Sequence, residues 1–260
     1  MEEQLPVTLC VSTRNAAGQL SSCLDSAAAW VREIVVVDMQ SDDGTVALAE
    51  SYGAKVISVP QAGFAEPARQ LGIDAATQPW VLVLDADERA GDGLRAFVAS
   101  TVLRDDVSGV FLPRRNWLFG RWIRHTGYWP DPQLRLFRAG CTRWPPNVHS
   151  WAVVDGPVEY APVNPSLAIV HHNYDTVAEW IERNHGYTDM EVDLALANGR
   201  RASMRRLLIR PLTWFVYRYV RRQGFRDGWH GLVISALIAI NAAHVEIKLW
   251  ERKRDSATVE

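Results

Sequence analysis

Three carboxylates, Asp85, Asp87 and Glu88, follow directly on the apolar run Trp80–Leu84 in the stretch WVLVLDADERA, residues 80–90. Carboxylate oxygens are hard ligands. Mg2+ or Mn2+ held by one or two of them takes its remaining oxygens from water and from a phosphate-bearing substrate. A turn just after Leu84 lets Asp85 and Asp87 converge on one such cation; an ordinary acidic turn at a strand end is the plain alternative. A further carboxylate, Asp131 in GYWPDPQLR, stands between Pro130 and Pro132. The two prolines fix the backbone on either side, which suits a rigidly aimed general base. His149 follows RWPPNV, and His171 and His172 lie in AIVHHNY. They compete for a third metal ligand or a phosphate contact, against the ordinary role of a lone His as a structural hydrogen-bonder. Gln133, Arg135 and Arg138 lie just beyond Asp131, and the two arginines are candidates for facing phosphates. Trp117, Trp122 and Trp129 are candidates for stacking on a sugar.

Elements must position these groups. VTLCVST (7–13), EIVVVD (33–38), KVISVP (55–60) and PWVLVLD (79–85) read as strands, and 16–30, 45–54 and 67–77 as helices between them. That alternation predicts a doubly wound, mostly parallel, Rossmann-like α/β sheet with right-handed crossovers. Ligands of such sheets bind beyond the carboxyl ends of the strands, where Asp38 and Asp85 fall. After residue 100 short strand-like pieces, turns and aromatics take over. Thr176 with Glu179 predicts a capped helix over 176–198. From residue 200 two further helices are expected, divided near QGFRDG (223–228). The expected division is a catalytic domain over 1–199, its donor half about 1–100 and its acceptor half about 101–199, followed by a basic helical tail over 200–260.

Composition is that of a folded protein of 260 residues, 48% hydrophobic and 22% charged. The net charge of −2 conceals an asymmetry: residues 200–260 carry 13 of the 28 Lys and Arg but 5 of the 30 Asp and Glu. In MRRLLIRPLTWFVYRYVRRQGF (204–225) arginines alternate with apolar and aromatic residues, the pattern of a membrane-surface helix. An anionic membrane contacted through 200–245 is the expected partner. LVISALIAINAA (232–243) is apolar over a dozen residues, short of the ~20 that span a bilayer. Cys10, Cys23 and Cys141 show no metal spacing and fit a reducing compartment. The acidic N-terminus lacks a secretion pattern. A cytoplasmic protein, peripheral on the cytosolic face of the inner membrane, is therefore expected.

The blocks VSTRN, EIVVVDMQSDDGT, GF, AR and VLVLDADE together resemble the family 2 glycosyltransferases, whose fold is called GT-A. PRRN…GRWIRHTGYWPDPQLRLFR, VHS and GFRDGWHGL…KLWE bring the resemblance closer to a bacterial lipopolysaccharide-core glucosyltransferase type. The resemblance implies a hexosyltransferase that moves a sugar from a nucleotide-diphosphate donor, UDP by default, to a glycan or glycolipid acceptor. Thr13 and Asp38 then match nucleotide-base contacts, and Arg69 matches a position near base and diphosphate. Asp85 and Asp87 match the DxD motif that holds the metal, with Asp85 also on the nucleotide, His149 as a third ligand candidate and Glu88 behind them. The base is a carboxylate in the second half, for which Asp131 is the candidate; one base and no covalent step predicts inversion. Two positions depart from the pattern: Ala16 replaces a usual Glu and Gln70 a usual Asn. Transfer to polyprenyl phosphate or a protein side chain is the second reading. A non-enzymatic nucleic-acid binder using the arginine tail is the third, and the intact DxD argues against it. No nucleic-acid partner is expected, and homo-oligomerisation is left open.

Overall fold

The computed structural model describes residues 3–60, 66–145 and 152–258. In chain order come β1 (Leu5–Thr13), α1 (Ala17–Asp25), β2 (Val31–Asp38), α2 (Thr45–Ser51), β3 (Lys55–Ser58), α3 (Glu66–Asp74) and β4 (Trp80–Asp85). Then follow β5 (Glu88–Arg89), α4 (Leu94–Thr101), β6 (Gly109–Leu112), β7 (Arg114–Leu118), β8 (Arg121–Trp122) and β9 (Gln133–Arg138). The short strands β10 (Thr142–Arg143), β11 (Val153–Val154) and β12 (Val158–Tyr160) lead to β13 (Ile169–Tyr174). Helices α5 (Val177–Ala197), α6 (Met204–Val216) and α7 (Trp229–Thr258) complete the chain. The alternation expected over the first 85 residues is the one observed.

Contacts divide the chain into two compact units, Met1–Arg115 with Pro130–His171, and Asn116–Trp129 with His172–Glu260. This grouping differs from a single cut after residue 199. The chain passes between units within β7, between Trp129 and Pro130, and within β13.

The first unit is built on a seven-stranded sheet in the order β12-β6-β9-β4-β1-β2-β3. Strands β1, β2, β3 and β4 run parallel, whereas β9 runs antiparallel to both β4 and β6. Their apolar runs are continuous because both faces are covered. Val7, Leu9, Val11, Leu82 and Leu84 pack with Leu20 and Leu24 of α1 and Leu94 and Val98 of α4. The alternate residues Cys10, Val35, Val37, Val81 and Val83 pack with Ala68 and Ile73 of α3 and with Phe137. Gly72 brings α3 close: a Cβ there would lie 3.2 Å from Val37 Cγ2.

In the second unit β7 and β8 form a hairpin whose Leu118 and Arg121 pair across Phe119–Gly120. Both linking residues have positive φ, 54° and 74°, the type I′ geometry that matches strand twist. Leu118 and Ile123 pack with Tyr174, Trp180, Ile234 and Leu237. Thr176 Oγ1 accepts a hydrogen bond from Glu179 N at 3.1 Å, and Glu179 returns by accepting from Asp175 N at 2.9 Å. The expected cap is thus present, its return arm reaching one residue further back.

Two expectations about the tail change. The nine arginines of 200–226 are not all surface charge. Arg200, Arg206 and Arg210 converge on the buried Glu246 of α7, and Arg218 donates to Thr126 O at 2.7 Å. The apolar run 232–243 also lies within a longer helix. Trp229–Arg254 is long and apolar enough to cross a membrane, with mean hydropathy 1.7 over its most apolar 18-residue window, but 44% of that window is buried within the protein. Val245, Ile247 and Leu249 carry the apolar character past the end of the run read from sequence.

Candidate active site

The carboxyl edge of the large sheet gathers the polar residues. Thr13, Asp38 and Asp85 end β1, β2 and β4, and the parallel registers set Thr13 beside Asp38 and Ser12 beside Asp85. Asp38 is buried, and its two oxygens accept from Ser41 N at 3.0 Å and from Ser41 Oγ. Its carboxylate therefore shapes the turn after β2. Thr13 Oγ1 is buried without a hydrogen-bond partner among the described residues. Asp43 bonds Thr45 and Ala17 N, holding the local turn as its sequence setting implies.

Asp85 stands between two guanidiniums. Its Oδ1 accepts from Arg69 Nη2 and its Oδ2 from Arg135 Nη2, each at 2.7 Å. Burial alone would raise its pKa, but Arg135 and Arg69 outweigh burial and hold the carboxyl well below the usual carboxylate range. Arg135 also donates to Glu88 Oε1 at 3.1 Å, and Glu88 Oε2 accepts from Asp85 N at 3.0 Å. Burial would lower the Arg135 pKa; Asp85 and Glu88 raise it above the usual arginine value instead. Arg135 Nη1 is buried without a partner among the described residues.

The network continues through Arg114. Its Nη1 donates to Glu88 Oε1 at 2.9 Å and its Nε to Asp131 Oδ2 at 2.8 Å. Gln133 Nε2 donates to Asp131 Oδ1 at 3.0 Å. Asp131 sits at φ 42°, in a left-handed region that Asp and Asn tolerate better than most residues. The Pro-Asp-Pro stretch thus aims a partly exposed carboxylate, held at both oxygens. Five charged residues (Asp85, Arg135, Glu88, Arg114 and Asp131) form one continuous chain of contacts.

Asp87 takes a different partner. Its Oδ2 lies 3.6 Å from His171 Nε2, because β13 pairs antiparallel to β5 with His171 opposite Glu88. The two carboxylates of the Asp-Ala-Asp sequence therefore carry separate protein contacts. No group of three or more His, Cys, Asp or Glu side chains among the described residues is placed to hold a metal. His149 lies outside the described residues. His172 stacks on Trp117 at 5.9 Å. Trp129 meets Trp122 edge-on at 5.3 Å.

Arg138 is a correction. Strand β9 runs antiparallel to β4, so Gln133 enters at the carboxyl edge and Arg138 leaves beside Trp80. Arg138 lies over the Trp80 ring at 4.9 Å and bonds Val107 O at 3.0 Å. It does not join the network that Arg135 joins. Gln70 is likewise committed, donating to Asp74 at 2.6 Å and accepting from Trp144 N. Sequence reasoning missed Arg114, although its setting in PRRN had been singled out. It also missed Asp227 of GFRDG, whose buried carboxylate accepts from His125 N at 2.8 Å and Thr126 Oγ1 at 3.2 Å.

Residues 8–155 match the model of the glycosyl transferase family 2. The chain belongs to that family. The lipopolysaccharide core biosynthesis glycosyltransferase LpsC of Rhizobium meliloti is similar, 28% identical over 97% of this chain and 94% of the relative. An uncharacterized glycosyltransferase of Rickettsia felis is 24% identical over 90% of this chain and 85% of its own. Among solved structures, S. aureus TarS in complex with UDP-GlcNAc matches 52% of this chain and 46% of its own at TM-score 0.42 and 17% identity. This chain thus spans about half the length of that structure. The family 2 assignment rests on the family match, and the α/β fold on the sheet itself.

Proposed function

We propose that this family 2 glycosyltransferase is a metal-dependent, inverting enzyme. It moves a sugar from a nucleoside-diphosphate donor, with UDP the expected base, to a glycan or lipid-linked acceptor of the lipopolysaccharide-core type. The observation that carries the reading is the charge chain from Asp85 through Arg135, Glu88 and Arg114 to Asp131. It mounts a donor-side carboxylate and an acceptor-side carboxylate on one rigid support. The name of the R. meliloti relative supports the acceptor class.

The residues fit a hard divalent cation held chiefly by its substrate. Asp87 is 18% exposed, and Asp85 keeps 23% exposure beside its arginines. Two protein carboxylates with substrate and water oxygens are a normal donor set for Mg2+ or Mn2+. Asp87, together with Asp85, would hold the ion. Bound there, the ion supplies charge neutralisation for a departing diphosphate. The protein does the rest. Arg135, its Nη1 without a partner among the described residues, and Arg69 present positive charge where the leaving oxygens become negative. Thr13 and Asp38 stand at the adjacent strand ends for the nucleotide. Asp131 takes the proton from the acceptor hydroxyl as that oxygen bonds to the anomeric carbon, and the donor's bond to its diphosphate breaks on the opposite face. A single displacement inverts the centre.

Membrane attachment is part of the proposal. Met204, Leu208, Leu212, Val216 and Val220 recur every four residues along α6 and the turn after it, and are 46–72% exposed. Such a stripe, flanked by arginines, supports peripheral binding to an anionic cytosolic leaflet.

The test of the enzyme is Asp87→Asn. It should abolish Mn2+- or Mg2+-dependent turnover of a sugar nucleotide while the thermal unfolding profile stays in place. Unchanged turnover would overturn the metal assignment.

A further inference from the structure

A cavity of about 530 Å³ in the second unit, within the usual range for small-ligand sites, is lined by Trp117, Trp122, Arg121, Arg124, His125 and Arg226, with Asp227 at its wall. The Asp227 carboxylate is buried and already spent on its own loop: it accepts from Arg124 N at 3.3 Å, from His125 N and from Thr126 Oγ1. It also meets His125 Nδ1 at 3.1 Å. The Asp227 backbone carbonyl accepts from Arg121 Nη1 at 3.3 Å. The loop is thereby fastened, and three guanidiniums are left to give the cavity its positive character. Arg124 is layered on the Trp122 ring at 4.4 Å, while Arg121 and Arg226 are exposed. Trp117 Nε1 is a buried donor without a partner among the described residues.

We propose that this cavity binds a phosphorylated sugar unit of the acceptor. The proposal rests on the glycosyl-transfer reading above. Planar guanidiniums pair with phosphate oxygens through two N–H groups at once, and three of them suit the charge of about −1.5 to −2 on a phosphomonoester. The indoles supply flat apolar walls and, through Trp117 Nε1, a donor for a sugar hydroxyl.

Isothermal titration of the full chain with glucose 6-phosphate, glucose, glucuronic acid and inorganic phosphate tests it. Glucose 6-phosphate should bind saturably and at least tenfold tighter than each of the others. The double variant Arg121→Ala, Arg226→Ala should weaken it at least tenfold, and Trp117→Phe should weaken it at unchanged thermal stability. Asp87→Asn should bind it as the wild type does, so loss of donor turnover and loss of this site are read separately. Comparable binding of glucuronic acid or inorganic phosphate, absence of saturable binding, or full binding by the double variant overturns the proposal.

Discussion

A guanidinium carries five N–H donors in one plane, and Arg114 divides its donors between Glu88 and Asp131. Lysine offers a single ammonium point and cannot span both carboxylates in that plane. Arg114→Lys should therefore lower kcat by about tenfold or more with little change in KM for the donor, because Asp131 loses its aim. Asp131→Asn keeps the left-handed backbone but cannot take the proton. Transfer should fall by about 10² to 10⁴-fold while nucleotide binding, read by calorimetry, is retained; lost binding would move Asp131 to the donor side. Asp85 makes a pH prediction. Its folded pKa lies below the unfolded value of about 3.9, so its contribution is present above that pH and lost as pH falls towards the folded value. Asp85→Asn should cost about 1 to 3 kcal/mol at neutral pH, because buried Arg135 loses one of its two carboxylates and keeps Glu88. It should also flatten the acid limb of a urea-midpoint titration below about pH 5, where the wild type still steepens.

At the scale of elements, the strand ends were legible and their cross-links were not. Continuous apolar runs announce β1, β2 and β4, and the positions of Asp38 and Asp85 follow from where those runs stop. The Thr176 cap was legible because both partners lie within one helical turn. Arg135 and Arg138 look alike in sequence, three residues apart; the reversed direction of β9 sets Arg138 opposite Trp80 and Arg135 nearer the carboxyl edge, where it reaches Asp85. That reversal leaves no local signal. The tail arginines mislead for a related reason, since Glu246, which gathers three of them, lies far along the chain. Its carboxyl would be raised by burial, yet hydrogen bonds from Arg200 and Ser203 N leave it lowered. Glu246→Gln should then cost about 1 to 3 kcal/mol, measured by chemical unfolding at neutral pH. An unchanged midpoint would return those arginines to the surface.

The whole molecule presents its apolar stripe on α6, where Leu208 and Leu212 are 68% and 64% exposed. Burying two leucines in a lipid interface is worth about 3 kcal/mol, or roughly a hundredfold in partitioning. Leu208→Glu with Leu212→Glu should reduce co-sedimentation with phosphatidylserine vesicles by that order, without loss of sugar-nucleotide turnover in solution. Truncation at residue 200 is the poorer experiment, because Ile234 and Leu237 of α7 are core residues beside Trp180.

The segment 116–129 leaves and re-enters the first unit through one narrow gate. Arg114 N donates to Pro130 O at 2.8 Å, and the Arg114–Asp131 pair closes the same gate. A loop whose two stems are tied together can change length at its tip without moving the stems. The Phe119–Gly120 turn is that tip, with Gly120 exposed. On the acceptor-site proposal above, insertions there should alter glucose 6-phosphate binding while the Arg114–Asp131 pair stays in register. On that same proposal, adding or removing a few residues at this turn changes the acceptor bound and leaves Arg114 and Asp131 where they are.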